Sequence, residues 1–445
     1  MSDVRAARPG RQLTPDQHAR IRLHIALIPA YIALVEGWWT FFDGLPFGRV
    51  GGHAVMARDF AHFYIQGLMA RAGDARALYD SAAHAALLAQ AVPGHPGLIF
   101  PPVYGPQVSL LFAPLAWLRY EPAMYLWMVI TVVVYASCCL VMLRRCPRLQ
   151  GQRWVVAILA VASPALHFTL GFAQASAIGL ACLTIAYCAL EDGRPFLAGL
   201  AVGTLVYKPP LGIAAAFVFI LAREWRIVAG AAIAATAQVT AGCLYWGVSI
   251  LPPYLAALRR LPDVAGVMEA HRDHMHSWRA FFELFGFAQP AVLALYVAAS
   301  LVTLVAALVC WRARGPLALR FGAVSAATIL ADPHVYVYDL LLLTPALLTL
   351  WDWADGATRD TIGAHFPAMR NGLLGSAQIR FAWTFLLYGC WLTPMLGGVV
   401  TTTHVQTSVV LLGALLWAIG ALLAPGTRIL HTGSTGDACA AAFDR

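Results

Sequence analysis

The chain has 445 residues, of which 60% are hydrophobic and 12% are charged, and its formal net charge is +8. Soluble domains carry about 25% charged residues, so this composition excludes an ordinary water-soluble protein. Excess arginine in a membrane protein first reports topology, so the positive charge does not predict a nucleic-acid partner. Nine cysteines are scattered without a CxxC pair, which argues against a disulfide framework and a cysteine-based metal site. The sequence predicts an all-α polytopic membrane protein.

Apolar runs follow one another from residue 21 to residue 425, and roughly 18 such residues are enough to span a bilayer. We predict a single membrane domain, 21–425, between cytoplasmic tails 1–20 and 426–445. The first run lacks a small-residue cleavage site, which favours a retained signal anchor over a cleaved signal peptide. The predicted spans, about twelve in number, are 21–43, 123–143, 153–171, 174–190, 194–206, 209–222, 226–247, 289–311, 317–331, 335–351, 381–398 and 405–424.

The apolar run Tyr104–Leu118 is short for a crossing and contains two prolines. We predict a re-entrant or interfacial helix there, a device tolerated where protein buries the backbone. With the N-terminus inside, the arginine-bearing connections face the cytoplasm, as the positive-inside rule expects. The outer face then receives the large first loop, 44–122, and a second loop, 248–288. If Tyr104–Leu118 crossed fully, the connection RRCPRLQGQR would face outward instead.

The first outer loop contains the segment ARDFAHFYIQGLMARAGDARALYD, in which Asp59 follows Arg58 and precedes Phe60, Phe63 and Tyr64. Aromatic residues at these spacings give a helix one face that can lie on the membrane, so we predict an interfacial helix. In one interpretation Asp59 is the N-cap of this helix. In the other it is a carboxylate held at the membrane surface as the general base for a hydroxyl group.

Lys208 is the only lysine in the chain, and it stands in the apolar segment LAVGTLVYKPPLGIAAAFVF before two prolines. The prolines prevent a continuous helix, so we expect Lys208 at the outer end of two short helices, where a broken span can line a cavity. An isolated ammonium near the membrane either snorkels to the interface or has a partner or a role. A phosphate group at headgroup depth would suit it.

Further polar residues lie at the predicted outer ends of spans. Gln174, in LGFAQASAIGL, can cap a helix or bind a sugar hydroxyl. In ADPHVYVYDLLLLTP, the residues Asp332, His334, Tyr338 and Asp339 cluster where a span begins. Asp339 is then either a simple helix cap or a second acid in the cavity.

The segment HRDHMHSW in the second outer loop carries His271, His274 and His276. Spacings of three and two do not give a tidy helical metal face, and no paired cysteine or glutamate helps. The pattern favours a solvated interfacial loop that partly contacts substrate over a metal site.

Three segments, in this order, resemble glycosyltransferase family 87: RDFAHFYIQGLMARAGDARALYD, FPPVYGPQVSLLFAPLAWL, and the long run from LGFAQASAIGL through VYKPPLG to AREWR. That family comprises membrane mannosyltransferases that use polyprenyl-phosphate sugars and have the GT-C fold. The resemblance covers about residues 55 to 350. It implies that Asp59 matches the family's catalytic outer-loop aspartate, Gln174 the polar position of its GQ turn, and Lys208 the basic residue that some members place before proline.

The sequence departs from the family pattern near residue 338. Many members show paired histidines there, whereas this chain has Tyr338 and Asp339. The departure leaves the role of those histidines unassigned, with His334 as the candidate substitute, and leaves the donor sugar open.

The resemblance implies inverting transfer of a sugar from a polyprenyl-phosphate donor to a hydroxyl of a lipid or glycan acceptor. Asp59 is the expected general base, and Lys208 with Arg58 would bind the donor phosphate. No cofactor or metal is expected. The expected location is the bacterial inner membrane, with the active site on the periplasmic or outer side. Substrate contacts are expected from Tyr64, Gln174, His276, His334, Tyr338 and Asp339.

Two other classes stay open. A transporter or flippase for polyprenyl-linked sugars would also combine lysine, acid and aromatic side chains at membrane depth. No inverted repeat of the kind many transporters carry is visible, which argues against it. A scaffold subunit whose polar groups are merely structural is the third class.

Overall fold

The computed structural model of the protein describes residues 15–44, 58–91, 100–261, 263, 269, 271–356 and 376–424. The C-terminal tail prediction, 426–445, lies outside these residues, as do most of the N-terminal tail and parts of both outer loops.

The described residues form α-helices joined by short 3₁₀ turns, with a single isolated antiparallel bridge between Met275 and Tyr336. The helices are α1 (Pro15–Ala26), α2 (Ile28–Gly44), α3 (Arg58–Ala72), α4 (Ser81–Ala91), α5 (Pro106–Phe112), α6 (Tyr120–Arg145), α7 (Arg153–Val161), α8 (Pro164–Phe172), α9 (Ser176–Glu191), α10 (Pro195–Gly203), α11 (Ile213–Leu221), α12 (Trp225–Trp246), α13 (Leu251–Arg259), α14 (Trp278–Leu284), α15 (Gln289–Arg312), α16 (Leu317–Ala331), α17 (Thr344–Gly356), α18 (Ser376–Leu392), α19 (Gly397–Thr403) and α20 (Thr407–Leu423).

Each of the twelve predicted spans contains α-helix, although several are broken by turns or include 3₁₀ segments. Among the described residues, four stretches are long and apolar enough to cross a membrane, and a fifth arises if a helix pair bent by 84° forms one span. Shorter apolar helices of 10–17 residues accompany them. The protein is thus an all-α membrane protein, and the count of twelve spans stays a prediction. The four stretches are Tyr120–Arg145, Pro147–Phe172, Trp225–Trp246 and Gln289–Arg312, and the bent pair is Ala382–Met395 with Gly397–Thr403.

Close packing of α10 against α12 fixes the broken segment around Lys208. A Cβ atom added to Gly199 would lie 2.1 Å from the Ile227 carbonyl oxygen, and one added to Gly203 would lie 2.2 Å from the Ala231 oxygen. Glycines four residues apart let two helix backbones approach in this way inside a membrane. Both contacts advance by four residues, so the two helices run in the same direction. The segment that joins them in the chain contains α11.

The helix that carries Asp59 is buried in the protein. Phe60, Phe63 and Tyr64 are 0%, 1% and 5% exposed. The ring of Phe63 stacks on Phe112 of α5, with 4.6 Å between centroids, and the Tyr64 hydroxyl donates to the Leu118 carbonyl at 2.8 Å. The prediction that these aromatic side chains face the membrane is therefore wrong, because the run Tyr104–Leu118 folds over them. That run forms the seven-residue helix α5 and a 3₁₀ turn rather than a long helix.

Candidate active site

Asp59 lies in the first turn of α3 and is half-buried. It is the second residue of the helix, so it does not occupy the N-cap position that precedes it. Its Oδ2 accepts a hydrogen bond from Nε2 of Gln174 at 2.6 Å. A carboxylate in this turn is also favoured by the positive end of the helix dipole. Asp59 is thus anchored by another part of the chain rather than by its own helix.

Gln174 belongs to a rigid turn between α8 and α9. Ala173 adopts a left-handed conformation, with φ of 49°, which ends α8. The indole nitrogen of Trp127 donates to the carbonyl oxygens of Ala173 and Gln174, at 3.1 and 3.3 Å. The Gln174 Oε1 accepts the Ala175 backbone N–H at 3.2 Å. One end of the Gln174 amide therefore stabilises the turn and the other binds Asp59, and sugar binding by Gln174 stays a prediction.

Lys208 is buried and paired. It is 8% exposed, and its Nζ donates to Oδ2 of Asp339 at 2.5 Å. The Asp339 side chain is fully buried, and it also accepts the Ser176 hydroxyl at 2.9 Å and the Tyr336 backbone N–H at 3.1 Å. The snorkelling alternative for Lys208 is therefore wrong. Asp339 is not a simple cap: it is the N3 residue of a capping box in which Tyr336 is the N-cap of the 3₁₀ turn Val337–Leu343, and it is also a buried acid.

The two acids are joined through the start of α9. Ser176, which binds Asp339, lies two residues after Gln174, which binds Asp59. The aromatic ring of Tyr338 lies beside the same group, with its centroid 5.4 Å from the Lys208 ammonium. We call Asp59, Gln174, Lys208, Tyr338 and Asp339 the acid–lysine cluster.

The environment of Asp59 suits proton transfer near neutral pH. Burial raises the pKa of its carboxyl to about 6. The hydrogen bond from Gln174 and the charges of Lys208 and His334 oppose this rise, and the charge of Asp339 adds to it. Burial likewise raises the pKa of Asp332 to about 6. A carboxyl with a pKa near the working pH can accept a proton and release it again, which is what a general base requires.

His334 adjoins the cluster and is oriented by Glu269. Its backbone N–H donates to Asp332 Oδ1 at 2.7 Å, and its Nδ1 lies 2.9 Å from Glu269 Oε1. The Arg279 guanidinium donates two hydrogen bonds to the Glu269 carboxylate, at 2.9 and 2.8 Å. Burial would raise the Glu269 pKa, but the contacts with His334 and Arg279 lower it below the ordinary value. An ionised carboxylate only accepts hydrogen bonds, so Nδ1 of His334 is the donor and Nε2 is the ring nitrogen left for a ligand.

Two predicted site residues, Tyr64 and His276, make other contacts, and the side chain of a third, Arg58, is not described. The Tyr64 hydroxyl donates a hydrogen bond to the Leu118 carbonyl oxygen, as described above. The buried ring of His276 binds the Ser408 hydroxyl through Nδ1 at 2.7 Å, which ties the second outer loop to α20. Arg58 opens α3, and its side chain lies outside the described part of the structure.

The histidine-rich segment forms no tidy metal face. The rings of His271 and His274 lie 5.6 Å apart, whereas His276 turns to Ser408. Among the described residues there is no group of three or more histidine, cysteine, aspartate or glutamate side chains placed to hold a metal ion.

Sequence reasoning missed Ser176, Glu269 and Tyr104. Ser176 had a usable signal, because it follows Gln174 at the head of an apolar helix. Glu269 had no sequence signal that could have identified it, since it is an isolated acid in a loop. Burial and then the negative charges of Asp339 and Asp59 raise the pKa of the Tyr104 phenol.

Fold and site together define a helical membrane protein with a buried acid–lysine cluster. The family model for glycosyltransferase family 87 matches residues 103–345, more than half of the 445-residue chain. The chain belongs to glycosyltransferase family 87, as the resemblance predicted, and is therefore a membrane glycosyltransferase. Comparisons with curated proteins and with solved structures found no match.

Proposed function

We propose that the protein transfers a sugar, mannose in the first instance, from a polyprenyl-phosphate donor to a hydroxyl of a lipid or glycan acceptor. Membership of family 87 supports the glycosyl transfer. The lipid-linked donor follows from the properties that the family resemblance implies. The proposal includes a GT-C fold with about twelve transmembrane helices, placed in the bacterial inner membrane with the site open to the periplasm.

The observation that carries this proposal is the position of Asp59. Its carboxylate is anchored by Gln174 at 2.6 Å, its pKa is raised to about 6, and the charge of the only lysine in the chain acts on it. A base and a cation at one site are what transfer from a phosphate leaving group requires.

In the proposed reaction the acceptor hydroxyl attacks the anomeric carbon and gives its proton to Asp59. The new bond joins the acceptor oxygen to that carbon, and the bond between the carbon and the phosphate oxygen breaks. The electron pair leaves with the polyprenyl phosphate. Attack opposite to the leaving group inverts the configuration of the sugar.

The leaving phosphate needs charge stabilisation more than a proton. Lys208 gives one N–H to Asp339, and an ammonium has three, so two donors are left for the phosphate. His334 Nε2 is the second proposed contact, and Arg58 is the third. The Tyr338 ring and the Gln174 amide would border the sugar, whereas Tyr64 and His276 would support the walls.

The test is a transfer assay on purified full-length protein in lipid, with radiolabelled polyprenyl-phosphate mannose and a membrane lipid extract. We expect a labelled product from the wild type and a loss of about 10²-fold or more in Asp59→Asn, the scale of general-base catalysis. Asp74→Asn is the matched control, because it removes an exposed carboxylate from the same outer loop.

The outcomes separate the classes of protein. If no product forms from this donor or from a panel of other polyprenyl-phosphate sugars, the proposed reaction is wrong. Translocation of labelled donor across a vesicle membrane without a glycosidic product would assign a flippase instead. Equal activity of Asp59→Asn and Asp74→Asn would remove Asp59 from the chemistry.

A further inference from the structure

A group of ring side chains from three parts of the chain packs together beside the acid–lysine cluster. Phe168 and Phe172 lie one helical turn apart on α8, so they share one face of that helix. The Phe172 centroid lies 5.8 Å from that of Tyr336 and 5.6 Å from that of Tyr338. The His274 centroid lies 6.0 Å from that of Phe168 and 5.8 Å from that of Tyr336. We call Phe168, Phe172, His274, Tyr336 and Tyr338 the aromatic platform.

One end of the platform adjoins the groups proposed to carry out the transfer. Tyr338 belongs to both the platform and the acid–lysine cluster, and its ring centroid lies 5.4 Å from the Lys208 ammonium. Phe172 precedes Gln174 by two residues, which limits the distance between their Cα atoms to about 7 Å. Gln174 in turn binds Asp59 at 2.6 Å. A ligand on the platform would therefore lie next to the proposed general base and the proposed phosphate-binding lysine.

The other end of the platform reaches the surface of the protein. Its two tyrosine side chains are buried, whereas its two phenylalanine side chains are half-buried. The side chain of His274 is 31% exposed. The next ring along the second outer loop, that of the exposed His271, lies 5.6 Å from His274. The ring faces thus form a continuous path from the outside of the protein to Lys208.

We propose that the aromatic platform is the acceptor subsite and that the acceptor ends in a sugar, whose ring lies on Phe168 and Phe172 and presents a hydroxyl to Asp59. This assignment rests on the function proposed above and narrows its acceptor, a lipid or glycan hydroxyl, to a hydroxyl of a sugar. The bonds form and break as in the proposed reaction. The product then contains a glycosidic bond between two sugars.

The chemistry of the platform favours a sugar ring over the isoprenoid chain of a lipid. A pyranose ring has a face of C–H groups, which packs on the electron-rich face of an aromatic ring, and hydroxyl groups at its edge, which need hydrogen-bond partners. The platform offers ring faces on α8, and beside them the second outer loop carries His271, Asp273 and His274. Imidazole and carboxylate groups bind hydroxyls, whereas an isoprenoid chain has no hydroxyl for them to bind.

The first test reads the class of acceptor from the product. Wild-type protein in lipid is incubated with radiolabelled polyprenyl-phosphate mannose and a membrane lipid extract, and the labelled product is purified. Tandem mass spectrometry of this product should show a fragment made of two linked sugars. A product in which the transferred sugar is attached directly to a lipid hydroxyl would overturn this inference and leave the transferase assignment standing. A wild type that makes no product contradicts the proposed function and this inference with it.

The second test removes one ring of the platform. With the donor saturating and the lipid extract titrated, Phe168→Leu should raise the apparent acceptor KM by about five- to tenfold, because it keeps an apolar side chain but loses the ring face. Phe168→Tyr keeps that face and should stay within about twofold of the wild type.

Phe285→Leu is the matched control, because Phe285 is 45% exposed and its ring contacts Phe281 and Phe287 instead of the platform. It should leave both KM values within about twofold of the wild type. Equal acceptor KM values for Phe168→Leu and Phe285→Leu would show that the platform does not bind the acceptor. A donor KM that rises in Phe168→Leu while the acceptor KM stays constant would also overturn the assignment.

Discussion

Asp59 and Asp339 are two acids in one polar cluster, yet they are bound very differently. Asp339 is fully buried and holds three partners: the Lys208 ammonium, the Ser176 hydroxyl and the Tyr336 backbone N–H. Asp59 is half-buried and is held through Oδ2 by Gln174. The comparison separates a fully buried carboxylate with three partners from a half-buried one with a single side-chain partner.

This difference in burial and hydrogen bonding indicates that the two acids have different roles. Asp339 keeps the lysine charge inside the protein and fixes where it stands, because breaking a buried pair leaves an uncompensated charge. Asp59 has a raised pKa and is only half-buried, as the proposed role of general base requires. The following predictions are ordered from the largest expected effect to the smallest.

Asp339→Asn should be the most destabilising change, because it leaves the buried Lys208 ammonium unpaired. We expect a loss of about 3–5 kcal/mol in the free energy of unfolding. The measurement is the thermal unfolding midpoint of purified protein in detergent. The double variant Lys208→Met with Asp339→Leu should recover much of the lost stability without recovering transfer.

Asp192→Asn is the control for that comparison. Asp192 also pairs with a cation, Arg145, at 2.6 Å, but its side chain is 40% exposed. Exposed ion pairs contribute about 0–1 kcal/mol to the free energy of unfolding, so the unfolding midpoint of this variant should stay close to that of the wild type. If the two variants lost the same free energy of unfolding, the claim that burial makes the pair of Asp339 with Lys208 important for stability would be contradicted.

Gln174→Leu should weaken transfer by about 10- to 100-fold, because it frees the carboxylate of Asp59 from its anchor. The hydrogen bond from Gln174 lowers the Asp59 pKa, so its loss should move the pH–rate midpoint upward. Single-turnover rates between pH 5 and pH 8 measure both effects. An unchanged midpoint would mean that Gln174 acts on something other than Asp59.

Asp59→Asn should unfold at a higher temperature than the wild type above pH 6. The folded-state pKa is about 6 and the ordinary value is 3.8, so the unfolded chain loses this proton first and stability falls as pH rises through that window. Below about pH 4 the carboxyl is protonated in both states, and the difference should vanish. Melting curves of the two proteins from pH 4 to pH 8 test this. A wild type that is the more stable of the two at pH 7 would contradict it.

Glu269→Gln should have the smallest effect, raising the donor KM by about three- to tenfold because His334 loses the carboxylate that orients its ring. Glu191→Gln, at the exposed pair with Arg145, is the control and should leave the donor KM unchanged. If both variants match the wild type, His334 does not contact the donor.

Much of this architecture can be predicted from the sequence, because span length and proline breaks are local properties. The apolar runs give the helices, and the two prolines after Lys208 give the break between α10 and α11. The burial of Phe60 and Phe63 could not be predicted, since an aromatic helix face looks the same whether a membrane or a protein surface covers it. The partner of that face, α5, lies more than 40 residues further along the chain.

The polar residues of the acid–lysine cluster could be singled out from the sequence, but not the contacts between them. Lys208 and Asp339 are 131 residues apart in sequence, and Asp59 and Gln174 are 115 apart. A pattern that flags each residue as unusual for a membrane does not say which two will meet. Glu269 carried no pattern at all, and only the fold brings it to His334.

The pH dependence of single-turnover transfer by the wild type tests the central claim most directly. If Asp59 is the general base, the rate should rise with pH through a midpoint near 6, as its carboxyl loses the proton, and then level off. The residual rate of Asp59→Asn should show no such midpoint. A wild-type rate that stays level from pH 5 to pH 8, or a midpoint near 6 that persists in Asp59→Asn, would contradict the account.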